Sequence, residues 1–420
     1  MRVRRGSPGT PSARLRFVPG RTVPPAVCAA SRAATASLGA TALLVATASL
    51  AFPPAPATAQ SLRPFPPPFE IRVPVPPGPL VSGDTRYFVY ELLITSFLPA
   101  PAQVTRVEVF AESPAGRRLL EYSGEELGAN MLPPFEQKDD PVAQRTIGPR
   151  SHGVVYVMLP LPASAATPRQ FFHRVWFDLP AGDSTEADYV ALETPVHEGS
   201  VIEIGPPLRG GPWAVFNGPS NDSGHRRMPL QLFGRSAFAQ RYAIDYMLVD
   251  AEGRASPVEG GDNDTYPGYG EEVIAVADGV ISSVLDGVPE NRPGETSRPA
   301  DFNLSTAIGN HVILDIGGGR HALYAHLLPG SVPVQVGQQV PRGQVLGQVG
   351  NSGNSGGPHL HFHITDENVP LGAEGLPFVQ DAFDLLGFCR QGPAGPCEMH
   401  EPETRRGETP MRDQLIRFPR

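Results

Sequence analysis

The sequence has little cysteine, almost no lysine and no excess of positive charge. Its 420 residues include three cysteines and one lysine, Lys138, and the formal net charge is −9. This length excludes a small disulfide-stapled scaffold and predicts two domains. Because nucleic-acid binders depend on positive charge at the phosphates, the acidic balance argues against nucleic acid as a partner. Convincing helical periodicity is absent from the second half of the chain, which favours a mainly β fold.

Negative charge is missing from the first part of the chain. No Asp or Glu precedes Glu70, whereas seven arginines precede an uncharged run over 33–52, and the triplet Ala-Thr-Ala follows at 57–59. This order is typical of a secretory signal peptide over residues 1–59, cleaved before Gln60. We therefore expect a secreted or periplasmic protein with no stable membrane span after cleavage. The alternative is an uncleaved membrane anchor.

Proline, glycine and charge divide the remaining chain into four segments. The proline-rich segment 60–80 predicts a stiff spacer. In residues 81–200, short apolar and β-branched runs alternate with turn residues, which predicts a small antiparallel β-sandwich, with an immunoglobulin-like form as one version, serving as a spacer or binding module. A second β-rich segment, 205–390, is expected to fold and act without the sandwich. The charged segment 391–420 predicts a loose tail.

Individual strands are predicted where apolar runs lie between turn residues. In the first β segment they are 87–95, 104–110, 153–159 and 171–179, and in the second they are 273–277, 280–285, 310–316, 322–326, 345–349 and 359–364.

Two cysteines remain after removal of the leader, which contains Cys28. An even pair in an exported protein predicts a disulfide between Cys389 and Cys397. Two free thiols or a metal-binding pair are the alternatives.

Three histidines alternate in the sequence Pro-His-Leu-His-Phe-His at 358–363. On a strand, alternate side chains share a face, so neighbouring members of this set lie about 6.6–7 Å apart at Cα. One imidazole can then bind a metal while its neighbour stands beside the metal's water. A further histidine, His326, ends a predicted strand, and Asp245 lies between apolar residues, where a buried carboxylate must be paired or metal-bound. His and Asp together suit zinc.

Several stretches together resemble one family: 273–279, Gly-Asn at 309–310, Tyr-Ala-His-Leu at 324–327, the glycines of 337–353 and, most specifically, Pro-His-Leu-His-Phe at 358–362. Over roughly residues 210–385 the chain is similar to the lysostaphin/LytM-type zinc metallopeptidases. The resemblance implies a β-sheet core with a duplicated hybrid-motif barrel, a Zn²⁺ cofactor and peptidoglycan endopeptidase activity. It implies that Asp245 and His361 bind zinc. It also implies that His326 and His359 form the catalytic pair, with His359 as base and His326 as oxyanion donor.

One position departs from that family. Its zinc-binding histidine four residues before the aspartate is Arg241 here, and an arginine cannot lose its proton to bind zinc. Arg241 could pair with Asp245 instead. We expect the third zinc ligand to be His225, in the Gly/Ser/Asn-rich loop 221–227, with His363 as the alternative.

The sequence therefore predicts an exported zinc metalloendopeptidase that hydrolyses the peptide cross-links of bacterial peptidoglycan, with the peptide stems as its partner. The alternative is a degenerate, non-catalytic LytM-type domain that binds cell-wall peptide or activates a separate cell-wall amidase. Four of the five family site positions survive, which favours the enzyme.

Overall fold

The structure is a computed structural model that describes residues 67–132, 140–179, 189–197, 199, 201–257, 261–294, 303–304 and 306–420. The predicted signal peptide and its cleavage site lie outside these residues. The described chain is mainly β, as predicted, with one α-helix, Gly124–Ala129, and two 3-10 helices, Ala143–Arg145 and Asn263–Thr265. Within the described residues, no helix has the length and apolar character needed to cross a membrane.

The N-terminal part is an antiparallel β-sandwich. Its strands are β1 (Phe69–Arg72), β2 (Pro79–Ser82), β3 (Thr85–Ser96), β4 (Ala102–Ala111), β5 (Arg118–Ser123), β6 (Met131–Leu132), β7 (Thr146–Ile147), β8 (His152–Pro162), β9 (Gln170–Asp178) and β10 (Tyr189–Pro195). One sheet has the order β1-β3-β8-β6 with β2 also on β3, and the other has the order β10-β9-β4-β5 with β7 on β4. Alternating apolar residues such as Phe88, Val107 and Phe171 fill the core between the sheets.

The sandwich begins earlier than the sequence predicts. Strand β1 lies within the segment assigned to a stiff spacer, β2 begins within it, and both pair with β3. Proline is tolerated at the first residue of a strand, where Pro79 lies, because no ladder hydrogen bond is lost there. The high proline content of this segment therefore led to the prediction of a spacer in place of the short strands β1 and β2.

The C-terminal part is built on a ten-stranded sheet. Its strands and the short ones around it are β11 (Ile202–Ile204), β12 (Trp213–Phe216), β13 (Leu230–Leu232), β14 (Arg235–Ala237), β15 (Ile244–Leu248), β16 (Glu272–Ile274), β17 (Gly279–Leu285), β18 (Asn310–Asp315), β19 (His321–Leu327), β20 (Gln339–Val340), β21 (Val345–Gln348), β22 (Leu360–Thr365), β23 (Phe378–Gln380), β24 (Phe383–Phe388), β25 (Glu398–Arg405) and β26 (Gln414–Arg417). The sheet order is β20-β17-β18-β19-β22-β15-β12-β26-β24-β25. Among the described residues this order is an open path and not the closed barrel that the resemblance implies.

The prediction of a loose tail over residues 391–420 is wrong. Strand β26 lies between β12 and β24 in the large sheet, and Leu415 and Ile416 are fully buried. Strand β25 is an exposed edge strand whose charged residues face solvent. Its composition is therefore similar to that of a disordered segment, which explains the wrong prediction. The predicted disulfide between Cys389 and Cys397 is present at the start of this region.

The sandwich and the large sheet share a buried core. Leu80 and Val89 of the sandwich belong to the same apolar cluster as Ile244 and Phe362 of the large sheet. The large sheet therefore rests against the sandwich on one side, while its strands β19, β22, β15 and β12 lie side by side and carry the residues described next.

Candidate metal centre

Strand pairing brings the predicted site residues together. Asp245 on β15 is directly opposite His361 on β22. Ala325 on β19 is opposite His361 on the other side, so His326 is one residue further along that strand. His359 comes just before β22. These four residues therefore meet at one end of three adjacent strands.

The carboxylate of Asp245 is the centre of the cluster and is almost fully buried. Its Oδ1 is 3.0 Å from His361 Nδ1 and 3.3 Å from His359 Nε2. Its Oδ2 is 3.2 Å from His225 Nε2 and accepts a 2.9 Å hydrogen bond from Asn217 Nδ2. One carboxylate is therefore shared by three imidazoles and one amide.

Three of these side chains can hold a metal ion. His225, Asp245 and His361 each place one ligand atom within 4.8 Å of the other two. The rings of His225 and His361 are perpendicular, with centroids 4.5 Å apart. Two imidazole nitrogens and one carboxylate oxygen form a ligand set found in catalytic zinc sites, which keep a further position open.

Main-chain carbonyls orient three of the imidazoles. Because a carbonyl oxygen can only accept, the Nδ1 atom of each ring carries the proton and Nε2 is left with its lone pair. The three bonds run from His225 to Asn217 O at 3.1 Å, from His326 to Ser352 O at 2.8 Å, and from His359 to Gly357 O at 2.8 Å.

A second histidine orients His361. The Nε2 atom of His363 is 3.2 Å from the carbonyl of Pro370 and donates to it. The Nδ1 of His363 therefore accepts the proton of His361 Nε2, at 2.8 Å. This leaves the lone pair of His361 Nδ1 directed at Asp245. His363 lies behind His361, on the side away from that carboxylate.

Burial and neighbouring charge shift the pKa values in ways that suit metal binding. Burial alone would raise the pKa of Asp245, but the imidazoles of His225 and His359 outweigh it and hold that pKa well below its usual value. Burial, with a contribution from His225, lowers the pKa of His361 to about 3. Asp245 is thus ionised and His361 neutral, which are the forms that bind a metal.

The pKa values of the two remaining histidines of the cluster, His326 and His359, shift in opposite directions. Burial, reinforced by His359 and His361, lowers the pKa of His326 well below its usual value. Burial would also lower the pKa of His359, but Asp245 outweighs burial and raises it. The rings of His326 and His359 lie 4.9 Å apart between centroids, so two imidazoles with different proton affinities stand side by side.

The backbone of His326 has φ = 65°, in the left-handed region that non-glycine residues rarely adopt. Its amide donates to Ile308 O at 3.1 Å, which helps to hold this conformation. Strained backbone of this kind is often found at functional sites.

Arg241 turns away from the site instead of pairing with Asp245. It is buried, and its guanidinium donates to Glu91 at 2.8 Å, to Glu374 at 2.8 Å and to Gly375 O at 3.2 Å. The position of the family's missing histidine is therefore occupied by a structural arginine.

Sequence reasoning missed Asn217. Its side-chain amide donates to Asp245, while its carbonyl accepts from His225 and from Ser223 Oγ. Its φ is 46°, a conformation that asparagine tolerates better than most residues. The one signal in the sequence is the Asn-Gly pair after an apolar run, which indicates a turn and says nothing of a site.

Residues 263–372 match Peptidase family M23. The matched range includes His326, His359 and His361, whereas His225 and Asp245 precede it. Over 65 residues the chain is 38% identical to the peptidoglycan DD-endopeptidase ShyA of Vibrio cholerae serotype O1. That match covers 16% of this chain and 15% of the relative, so the chain spans only a small part of its length.

Solved structures also match. The catalytic domain of the antimicrobial peptidase lysostaphin from Staphylococcus simulans is 22% identical, with 39% of this chain and 86% of that chain covered and a TM-score of 0.22. A zinc-containing peptidase from Vibrio cholerae is 12% identical, with 69% and 80% covered and a TM-score of 0.24. The match of residues 263–372 to Peptidase family M23 confirms the resemblance drawn from the motifs.

Proposed function

We propose that the protein is an exported zinc metalloendopeptidase that hydrolyses peptide cross-links of bacterial peptidoglycan. The observation that carries this proposal is the convergence of His225, Asp245 and His361 on one point, with His326 and His359 beside it. The relative ShyA, named as a peptidoglycan DD-endopeptidase, supports the choice of substrate.

The metal would be held by His225 Nε2, Asp245 and His361 Nδ1. Bound Zn²⁺ supplies Lewis acidity, which acidifies a water molecule and polarises the scissile carbonyl. The protein keeps Asp245 charged and His361 neutral, and it fixes both imidazole ligands through hydrogen bonds on their other nitrogens. Hydrogen bonds of this kind set the orientation of the ring and the basicity of the ligand atom.

His359 would move the protons. His359 would take the proton of the attacking water on Nε2, whose lone pair is left free by the Nδ1–H bond to Gly357 O. His359 would then pass this proton to the leaving amine, and His326, whose ring lies 4.9 Å away between centroids, would stand beside the oxyanion. These are the roles that the resemblance implies for the two residues.

A cleft of about 400 Å³ opens over these residues and gives room for a peptide. Its lining combines the polar site residues with apolar side chains that include Met228, Leu304 and Leu371. Clefts that combine apolar walls with a few convergent polar groups are typical of ligand sites.

The test uses the mature chain, residues 60–420. We expect about one zinc per molecule and release of shorter peptides from purified peptidoglycan. His225→Ala and His361→Ala should each abolish zinc binding and cleavage, and His326→Ala should lower the rate by ~10²–10⁴ while zinc stays bound. His321→Ala, on the same strand as His326, is the matched control and should behave as wild type.

Two results would contradict the proposal. If His225→Ala binds zinc normally, the ligand assignment is wrong. If the wild-type chain binds no zinc and releases no peptide, yet binds peptidoglycan, the non-catalytic binding domain becomes the better description.

Export is tested separately by N-terminal sequencing of protein from envelope fractions. We expect the chain to begin at Gln60, because the arginine-rich leader, the uncharged run and the small-residue triplet end there. A cytoplasmic protein that retains Met1 would contradict export.

A further inference from the structure

The loop that carries His225 is held by the N-terminal sandwich. The next residue, Arg226, is fully buried, and its guanidinium contacts strands β3 and β8. It donates to Glu91 at 2.9 Å, to Tyr90 O at 2.7 Å and to Val157 O at 3.0 Å. Every one of these acceptors belongs to the sandwich, although His225 itself faces the site of the large sheet.

A second residue of the same loop makes similar contacts. Asn221 Nδ2 donates to Tyr122 OH at 3.1 Å and to Asn130 Oδ1 at 2.8 Å, and Asn221 Oδ1 accepts from Arg226. The sandwich therefore holds the loop at one residue before His225 and at one residue after it.

Glu91 is the anion at the centre of this contact. It is fully buried on β3, and one of its oxygens accepts from Arg226 while the other accepts from Arg241. Glu374 also accepts from Arg241, so two carboxylates and two guanidiniums balance in charge. Arg241 occupies the position of the family's missing histidine, and through Glu91 it is tied to the loop that supplies His225.

A buried ion network of this kind is not explained by stability alone. Desolvation of buried charges is costly, and apolar residues of similar volume often stabilise a protein as well or better. What such a network does supply is a defined geometry, since each charge must keep its partners. A metal ligand needs its donor atom placed to within about 0.2 Å.

We propose that Glu91 is a positioning residue for His225, so that the sandwich is a working part of the metal site and not a separable spacer. This inference rests on the proposed function, because it needs a metal bound by His225. It replaces the sequence-based expectation that residues 205–390 act alone.

The test is Glu91→Gln in the full mature chain, which keeps the shape of the side chain and removes its charge. The readouts are zinc affinity, by competition with a chelator, and the absorption spectrum of the Co²⁺-substituted protein, which reports the ligand geometry. We expect zinc affinity to fall about 10–100-fold, as for other residues that orient metal ligands, together with a changed Co²⁺ spectrum.

The matched control is Glu108→Gln. Glu108 is also a buried carboxylate of the sandwich and accepts from Arg118 at 3.1 Å and Trp176 at 2.8 Å, but it lies in the other sheet. This variant should lose a comparable amount of thermal stability and keep wild-type zinc affinity and Co²⁺ spectrum. A purely structural role for Glu91 would give the two variants the same metal properties.

The outcomes separate the two proposals. If wild type binds zinc but Glu91→Gln binds it equally well with an unchanged Co²⁺ spectrum, the positioning role is wrong and the peptidase proposal stands. If wild type binds no zinc, both fail. Should Glu91→Gln not fold, Asn221→Ala decides in the same way, because it loosens the same loop without removing either buried carboxylate.

Discussion

His361 shows how a single side chain can depend on the hydrogen bonding of its neighbour. Its Nδ1 lone pair is directed at Asp245 only because Nε2 carries the proton, and Nε2 carries the proton because His363 accepts it. His363 accepts because its own Nε2 donates to a carbonyl. This series of hydrogen bonds starts at the main-chain carbonyl of Pro370, which fixes the proton on His363 Nε2, and it ends at His361 Nδ1 in the metal site.

The residue His363 therefore gives a prediction about zinc affinity. His363→Leu removes the acceptor and leaves His361 Nε2–H buried without a partner, which favours the other tautomer. We expect zinc affinity to fall about 10–100-fold, with His363→Gln intermediate because its carbonyl oxygen can still accept. The measurement is competition with a chelator.

His311→Leu is the control for this change. His311 is also a buried histidine of the large sheet, but its hydrogen bond goes to Gly309 O and not to the site. Its replacement should lower stability and leave zinc affinity unchanged. Equal losses of affinity in the two variants would show that His363 acts only through general stability.

The sequence indicated residues that the structure brings together, but not the interactions that hold them in place. The alternating histidines and the buried aspartate can be recognised in the sequence, because their types and spacing have few purely structural explanations. The partner of Arg241 could not be predicted, since Glu91 is 150 residues away and lies in an apolar run of strand β3. Asn217 could not be identified from the sequence, because its role depends on one backbone angle and on its hydrogen bonds with Asp245 and His225.

At the scale of elements, strands with apolar alternation were predicted closely and strands with unusual composition were missed. Residues 280–285 and 359–364 were expected as strands and correspond to β17 and β22. Strands β1 and β2 are hidden among prolines, and β25 is hidden by its charge. Strands β1 and β25 lie at sheet edges, where the sheet tolerates polar residues and proline, whereas β12, β15 and β26 are interior strands that the sequence-based assignment also omits.

Strand β26 gives a direct test of the C-terminal region. Ile416 is fully buried between β12 and β24 and belongs to the largest apolar cluster. We expect Ile416→Ala to lower the free energy of unfolding by about 2–5 kcal/mol, because it leaves a cavity in a packed core. Urea denaturation monitored by circular dichroism measures this change.

Met399→Ala in the adjacent strand β25 is the comparison. Met399 is 57% exposed, so we expect a change within about 0.5 kcal/mol. If both substitutions were neutral, residues 391–420 would behave as the loose tail that their composition suggests.

For the whole molecule, a buried histidine of the sandwich makes stability depend on pH. Burial lowers the pKa of His173 to about 4, while an unfolded chain has about 6.5. The folded pKa is the lower one, so the unfolded chain takes up the proton first as pH falls. The contribution of neutral His173 is complete above pH 6.5 and is lost between pH 6.5 and pH 4.

His173→Gln removes this titration. The free energy of unfolding of wild type minus that of the variant should shrink by about 2 kcal/mol between pH 7 and pH 5, from a difference of about 1.36 kcal/mol per pKa unit. Urea denaturation at the two pH values measures it. A difference that stays constant between the two values would show that His173 keeps an ordinary pKa in the folded protein.

The two tryptophans allow a test of whether the sandwich and the large sheet unfold as one unit. Trp176 lies in the sandwich on β9, and Trp213 lies in the large sheet on β12. Because Leu80 and Val89 share a core with the large sheet, and Glu91 holds Arg226 and Arg241, we expect one cooperative transition. Trp176→Phe and Trp213→Phe each leave a single fluorescent reporter, one on either side of the contact.

Added zinc shows whether the two tryptophans report the same unfolding transition. At a free concentration of 100 times its Kd, a ligand that binds only the folded state stabilises it by about 2.7 kcal/mol. If the two parts unfold together, the remaining tryptophan of each variant should report a zinc-dependent rise in the midpoint, although all proposed zinc ligands lie outside the sandwich. A rise seen only by Trp213, with the Trp176 transition unmoved, would mean that the sandwich unfolds independently. In that case it could not hold the His225 loop in the way that the buried contacts indicate.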